Sequence, residues 1–153
     1  VAGRVMARLA LPKSMTREAQ ALIRLHDLPV RPAAASCRKM MSLLEAACPG
    51  RGRALAFALV DLKRADALAK APACRGYAVE LDAMAARVRA EVAAGCPLTV
   101  RELPVGGGDV IRERGLEPGP GVGLVLDALL AAVLAGELGL GREELLAELR
   151  MGE

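Results

Sequence analysis

Few residues in this sequence could do chemistry, and their spacing limits what chemistry that is. His26-Asp27 suits a metal phosphohydrolase, but such a centre needs further ligands, and His26 is the sole histidine among 153 residues. A hydrogen-bonded structural histidine on an apolar helix face is expected instead. Cys37, Cys48, Cys74 and Cys96 show no CxxC spacing, so reduced and mostly buried thiols are expected rather than a zinc site. The run Gly106-Gly107-Gly108 lacks the Lys-Ser/Thr of a P-loop. Asp61, Asp66, Asp109 and Asp127 fall in no DxD pair, which excludes a two-metal nucleotidyl-transfer centre built from them. No catalytic and no metal-ligating residue is assigned.

Residues 107–134 offer something different. Gly115 stands where a helix C-terminus turns left-handed. Pro118 and Pro120 preset φ for the start of the next helix. Gly119, Gly121 and Gly123 would leave its first turn uncovered, so that free N–H groups can meet an anion such as a nucleic-acid phosphate. A plain helix–helix corner is the alternative reading of the same residues.

Charge is segregated. Residues 1–72 hold 13 Lys/Arg and 5 Asp/Glu, a net of +8, whereas residues 73–153 hold 8 and 13, a net of −5. A basic half suits a polyanionic partner, and a solvated surface balanced elsewhere is the alternative. Phe57 and Tyr77 are the only aromatics, too little surface for gripping single strands by base stacking. Any nucleic acid is expected to be held by backbone and shape.

The elements that must position these residues read as helices throughout. With 54% hydrophobic residues a packed core is expected, not disorder. The near-apolar run 122–134 is broken by Asp127 and is shorter than the roughly 18 residues of a membrane span. No signal peptide is recognisable at the start, so a cytoplasmic protein without membrane contact is expected. Residues 1–11 form a first helix without a preceding cap, which suggests a fragment that begins inside an element. Ser14 is placed as N-cap of a helix over 15–26, with Ala19, Leu22, Ile23 and His26 on its apolar face. Ser36 would cap a helix over 37–47, with Met40, Met41 and Leu44 inward. Residues 51–70 form a central helix, apolar all round at its ALAFALV run, leaving the core through Lys63, Arg64 and Asp66, and ended by Pro72. Residues 76–94 are amphipathic, with Leu81, Met84, Val88 and Val92 inward and Glu80, Asp82, Arg87, Arg89 and Glu91 outward. Gly95-Cys96-Pro97 marks a boundary, and Thr99-x-x-Glu102 matches a capping box. Leu126, Leu129, Leu130, Val133 and Leu134 form a stripe, and residues 142–150 a last short helix. The expected fold is an all-α, irregular bundle of about seven or eight helices: a helical body over 1–95 and a small helical tail over 96–153.

The tail resembles the C-terminal part of the bacterial CCA-adding tRNA nucleotidyltransferase and poly(A) polymerase family. The residues that carry this are Gly107-Gly108-Asp109, Gly115-Leu116-Glu117-Pro118-Gly119-Pro120, Gly123, Leu126 and Arg142-Glu143-Glu144-Leu145-Leu146. Upstream, Leu22 to Asp27 is similar to the family's segment ending in His-Asp, and Asp61 to Asp66 to its Arg-Ala-Asp helix. Leu25 stands where the family often has a second histidine, and the catalytic head with its carboxylate pair is not present. The resemblance implies a part that holds tRNA while a separate head adds C, C and A from CTP and ATP with Mg²⁺. The chain alone would be inactive and would carry no cofactor. The choice between CCA and poly(A) addition would lie in the head. Arg38, Lys39, Arg51, Arg53, Lys63 and Arg64 are then expected to supply most of the attraction for RNA, and Gly119, Gly121 and Gly123 a few backbone contacts. Charge reversal at Lys63 and Arg64 is expected to weaken binding with little effect on folding. Two other readings are a helix–hairpin–helix-like module for duplex DNA and a dimerisation domain in which the 126–134 stripe meets a second copy.

Overall fold

A computed structural model describes residues 2–70 and 75–152. Among them the protein is all-α: eight α-helices and one 3-10 turn, with no strand. The chain forms two compact units, Val1–Val92 and Ala93–Glu153.

The first unit contains α1 (Ala2–Arg8), α2 (Lys13–Leu25), α3 (Ala34–Ala47), α4 (Gly52–Ala69) and nearly all of α5 (Arg75–Ala93). The first helix is shorter than expected. Ala10 takes a left-handed φ of 52°, and the Leu11 N–H donates to the Met6 carbonyl at 3.1 Å. This is a Schellman closure made without glycine. Ser14 is not a cap: α2 begins at Lys13, and Thr16 turns both its N–H and its hydroxyl to the Pro12 carbonyl, at 3.0 and 3.2 Å. The buried side of α2 is also rotated from expectation. Ala21 is fully buried, whereas Ile23 is 48% exposed and His26 lies outside as well. The helix packs against α1, α3 and α4, and a small Ala21 lets neighbouring backbones come close, which apolar periodicity does not register.

Ser36 likewise lies within α3, not before it. Its hydroxyl accepts from the Arg31 N–H at 3.0 Å and so pins the proline-rich link. Cys37, Met40, Met41 and Leu44 are buried, as the spacing predicts. The turn from α3 to α4 is closed by Glu45. Its buried carboxylate accepts from the N–H groups of Gly50, at 2.5 Å, and Gly52, at 2.8 Å. An acid there faces the positive end of α4. A Cβ on Gly52 would lie 2.7 Å from the Met41 carbonyl oxygen, so only glycine lets the helices meet this closely.

In α4 the ALAFALV run is largely covered: Leu55, Ala56, Leu59 and Val60 are buried, Phe57 and Ala58 are half-buried, and Ala54 is exposed. Beyond it Leu62 and Leu68 face outward with Arg64 and Asp66, but Lys63 and Ala67 are buried, so Lys63 does not leave the core as expected. In α5, Leu81, Met84 and Val88 are buried as expected, but Glu91 is too, because Arg38 of α3 meets it at 2.6 Å. The helix end expected at Pro72, and Cys74, lie outside the described residues.

The second unit holds a 3-10 turn (Val100–Glu102), α6 (Gly107–Arg114), α7 (Pro120–Ala135) and α8 (Arg142–Met151). The expected capping box is half formed and shifted: Glu102 accepts from the Leu98 N–H at 3.2 Å, and Thr99 caps nothing through its side chain. Leu103, Val105, Val110, Val122, Leu126, Leu129, Val133, Leu145 and Leu149 build the core. Of the expected stripe, Leu130 is half-buried against this core and Leu134 is half-buried. Each buried Leu or Val contributes about 1.5–3 kcal/mol, so this core is what holds three short helices together.

Candidate nucleic-acid interface

In the second unit, Gly115 ends α6 with φ of 63°, the left-handed conformation its position requires. Pro120 occupies the first position of α7. Gly119 is extended, with φ of 168°, a conformation open to any residue. Gly121 and Gly123 are exposed, and a Cβ added to either would have nothing within 4 Å. No side chain caps this helix start.

The residues behind that turn are tightly bound to each other. Asp109 accepts from the Gly106 N–H at 2.9 Å, from Arg112 at 2.7 Å, and from both ends of the Arg142 guanidinium at 2.7 and 3.1 Å. Arg142 also donates to the Pro104 carbonyl. Arg142 above all, then the Gly106 N–H and Arg112, holds the Asp109 carboxyl far below the usual carboxylate range. Glu113 is held down in the same way by Arg150 and Arg112, at 2.8 and 2.9 Å. The GxD aspartate and the arginine that opens the last helix, separated in sequence, thus share one site.

In the first unit the cations named from the sequence differ in what they touch. Arg38 is committed to Glu91. Lys63 is 7% exposed, and its ammonium donates to the carbonyls of His26 at 2.5 Å and Leu28 at 2.8 Å. Burial lowers its pKa, opposed by Asp27 and Asp66. Charge reversal there would set a carboxylate against two carbonyl oxygens, so the expectation of little effect on folding does not hold for Lys63. Arg51 meets Glu18 at 2.8 Å and Arg64 meets Asp82 at 2.9 Å, both pairs at the surface. Arg53 is half-buried and Lys39 is exposed.

Sequence reasoning passed over another set. Arg4, Arg8, Lys13, Arg17 and Arg24 are exposed. Lys13, Arg17 and Arg24 repeat at helical spacing, and Glu18 is the only acid between residues 2 and 26. A search for periodicity in charge, rather than in apolar residues, would have found them.

His26 is hydrogen-bonded, though not buried: Nδ1 is 2.6 Å from the Ile23 carbonyl and Nε2 is 3.2 Å from Asp27. Among the described residues no three His, Cys, Asp or Glu side chains come together to hold a metal. Cys37, Cys48 and Cys96 are buried thiols, not joined in a disulfide. Burial, with a smaller push from Glu91 and a pull from Arg87, raises the Cys37 thiol to about 11. Among the described residues no helix is long and apolar enough to cross a membrane.

No protein-family model matches the chain, and neither a curated protein nor a solved structure matches it.

Proposed function

We propose that the chain is the tRNA-binding body and tail of a CCA-adding nucleotidyltransferase, holding the acceptor arm for a catalytic head outside this sequence. The observation that carries the reading is the pair Gly121 and Gly123. Each costs α7 roughly 0.5–1 kcal/mol relative to alanine, and neither packing nor a left-handed φ asks for glycine there. A phosphate approaching the N–H groups of the first turn does ask for it. The motif that suggested the family supports the same reading, because its Asp109 and Arg142 meet and tie the start of α6 to the start of α8. The basic first unit supplies the charge and the near-absence of aromatics favours backbone contact.

Filter binding of the chain to tRNA at low and moderate salt tests this. Binding that weakens steeply with salt is expected. Absence of binding at low salt would sink the reading for this chain. A second reading, self-association, cannot use the 126–134 stripe, whose Leu126, Leu129 and Val133 are buried in the unit's own core, and would use the outer side of α7, where Leu124 is 70% exposed. A mass in light scattering that rises with concentration, without RNA binding, would select it.

A further inference from the structure

We propose that the α1–α2 hairpin, not the α3–α4 pair, is the surface that docks on double-helical RNA, through Lys13, Arg17 and Arg24 flanked by Arg4 and Arg8. The inference rests on the RNA-binding reading above and assigns it a place.

The two surfaces differ in which cations are already committed. In α3 and α4, Arg38 pairs with buried Glu91, Lys63 donates to two backbone carbonyls, and Arg64, like Arg51 just before α4, sits on an acid at the surface, which leaves Lys39 as the exposed cation of α3. A cation already paired must leave its partner before it can meet a phosphate. The five cations of α1 and α2 make no ion pair or hydrogen bond through their side chains with any described residue, and all are exposed. Glu18, the one acid among them in sequence, is taken by Arg51.

Their arrangement is regular. At 3.6 residues per turn, Lys13, Arg17 and Arg24 lie within about 40° of each other around α2 and span about 16 Å along it. Arg4 and Arg8 are one turn apart on α1, which packs on α2 and brings Gly3 against the Gln20 side chain. The exposed apolar residues of α2, Met15 and Ile23, lie on other bearings, so the stripe carries its cations and the neutral Gln20 but no exposed apolar side chain. A convex rod carrying charge and no aromatic fits the outside of a duplex, where phosphates are presented in rows, and offers nothing on which an unpaired base could stack. Contacts of this kind are read out as the dependence of affinity on salt.

The test measures binding of the full chain to an RNA hairpin stem by fluorescence anisotropy over about 50–200 mM salt. The triple variant Lys13→Gln, Arg17→Gln, Arg24→Gln should lower the slope of log K against log salt by about 2–3 and weaken binding by more than about tenfold. The pair Arg51→Gln, Arg64→Gln should change the slope by less than about one. The charge-keeping triple Lys13→Arg, Arg17→Lys, Arg24→Lys should bind like the parent, which separates loss of charge from damage to α2. An unchanged slope in the Gln triple, with the loss appearing in the Arg51/Arg64 pair, overturns the inference and leaves the RNA-binding reading standing. A parent chain that binds no RNA at the lowest salt removes both. Tighter binding of duplex DNA of the same length overturns the assignment to RNA.

Discussion

Asp109 and Arg142, 33 residues apart, face each other as carboxylate and guanidinium in a two-pronged contact, at 2.7 and 3.1 Å. The same guanidinium reaches the Pro104 carbonyl, so one side chain binds the approach to α6, α6 itself and the start of α8. A lysine cannot reproduce that fork. Arg142→Lys is therefore expected to lower the urea midpoint of the second unit nearly as much as Arg142→Ala. Asp109→Asn should do likewise, and the double variant Asp109→Asn, Arg142→Ala should cost less than the two single losses combined. Full additivity in a double-mutant cycle would mean the contact carries no coupling.

The same pair sets a pH dependence. Asp109 and Glu113 titrate lower in the folded chain than in the unfolded one, where the ordinary values are 3.8 and 4.5. A depressed carboxyl gives stability that is present above the unfolded value and is lost as pH falls through the folded value. Stability of the second unit should thus fall from about pH 4.5 downward. The Asp109→Asn variant should start lower and show a shallower acid limb, checked by helical circular dichroism along a pH series.

Lys63 and Arg64 are neighbours with opposite consequences. Lys63→Ala leaves the His26 and Leu28 carbonyls without their donor, at about 1–3 kcal/mol for each group left unsatisfied. Arg64→Ala breaks an exposed pair with Asp82 and should cost less than about 1 kcal/mol. Chemical denaturation of the two variants should show the difference directly.

Glycine should divide into two kinds under substitution. Gly121→Ala and Gly123→Ala should each stabilise α7 by roughly 0.5–1 kcal/mol while weakening RNA binding, since the methyl enters open space on the binding side. Gly52→Ala should destabilise the first unit by about 1–3 kcal/mol, because its methyl meets backbone of α3. Melting and anisotropy on the same samples measure both properties.

With its thiol raised to about 11, Cys37 carries about one thiolate in a thousand at pH 8, and it is buried. It should resist a disulfide reagent in the folded chain and react on unfolding. Replacing Glu91 by Ala should expose it, since that removes the buried acid that Arg38 meets, at a cost of about 3–5 kcal/mol for a buried pair broken on one side.

The all-helical class was legible because proline and glycine divide the sequence into segments of helical length, and because Met40, Met41, Leu44, Leu81, Met84 and Val88 repeat at helical spacing. Gly115 and Pro120 could be placed from their backbone preferences alone. Charged residues were the harder part. Lys63 and Glu91 were read as surface because charge usually is, yet each is buried against a partner far away in sequence, and Glu45, on which periodicity offered no reading, is buried across a turn. Such partners are chosen by packing, which one-dimensional periodicity does not contain. The two serine caps failed for a related reason: Ser14 and Ser36 stand inside first turns that begin with Pro12 and Ala33 as the flanking residues. Among the site residues, Gly119, Gly121 and Gly123 stand at the open helix start their spacing predicted, whereas the exposed cations of α2 emerged only once it was clear which other cations were already engaged.

Lys63 has one more consequence, for the order in which the chain can be finished. It terminates a stretch of backbone 35 and 37 residues upstream, and Arg142 does the same across 33 and 38. A chain leaving the ribosome N-terminus first therefore exposes each open end well before the side chain that will close it has been translated. The first unit can be sealed only when the second half of α4 has emerged, and the second unit only when the start of α8 is out. A ribosome that stalls or stops before residue 142 would release a second unit with its acid and its carbonyl still open to water, a lesion that proteases recognising loose helix ends are suited to find.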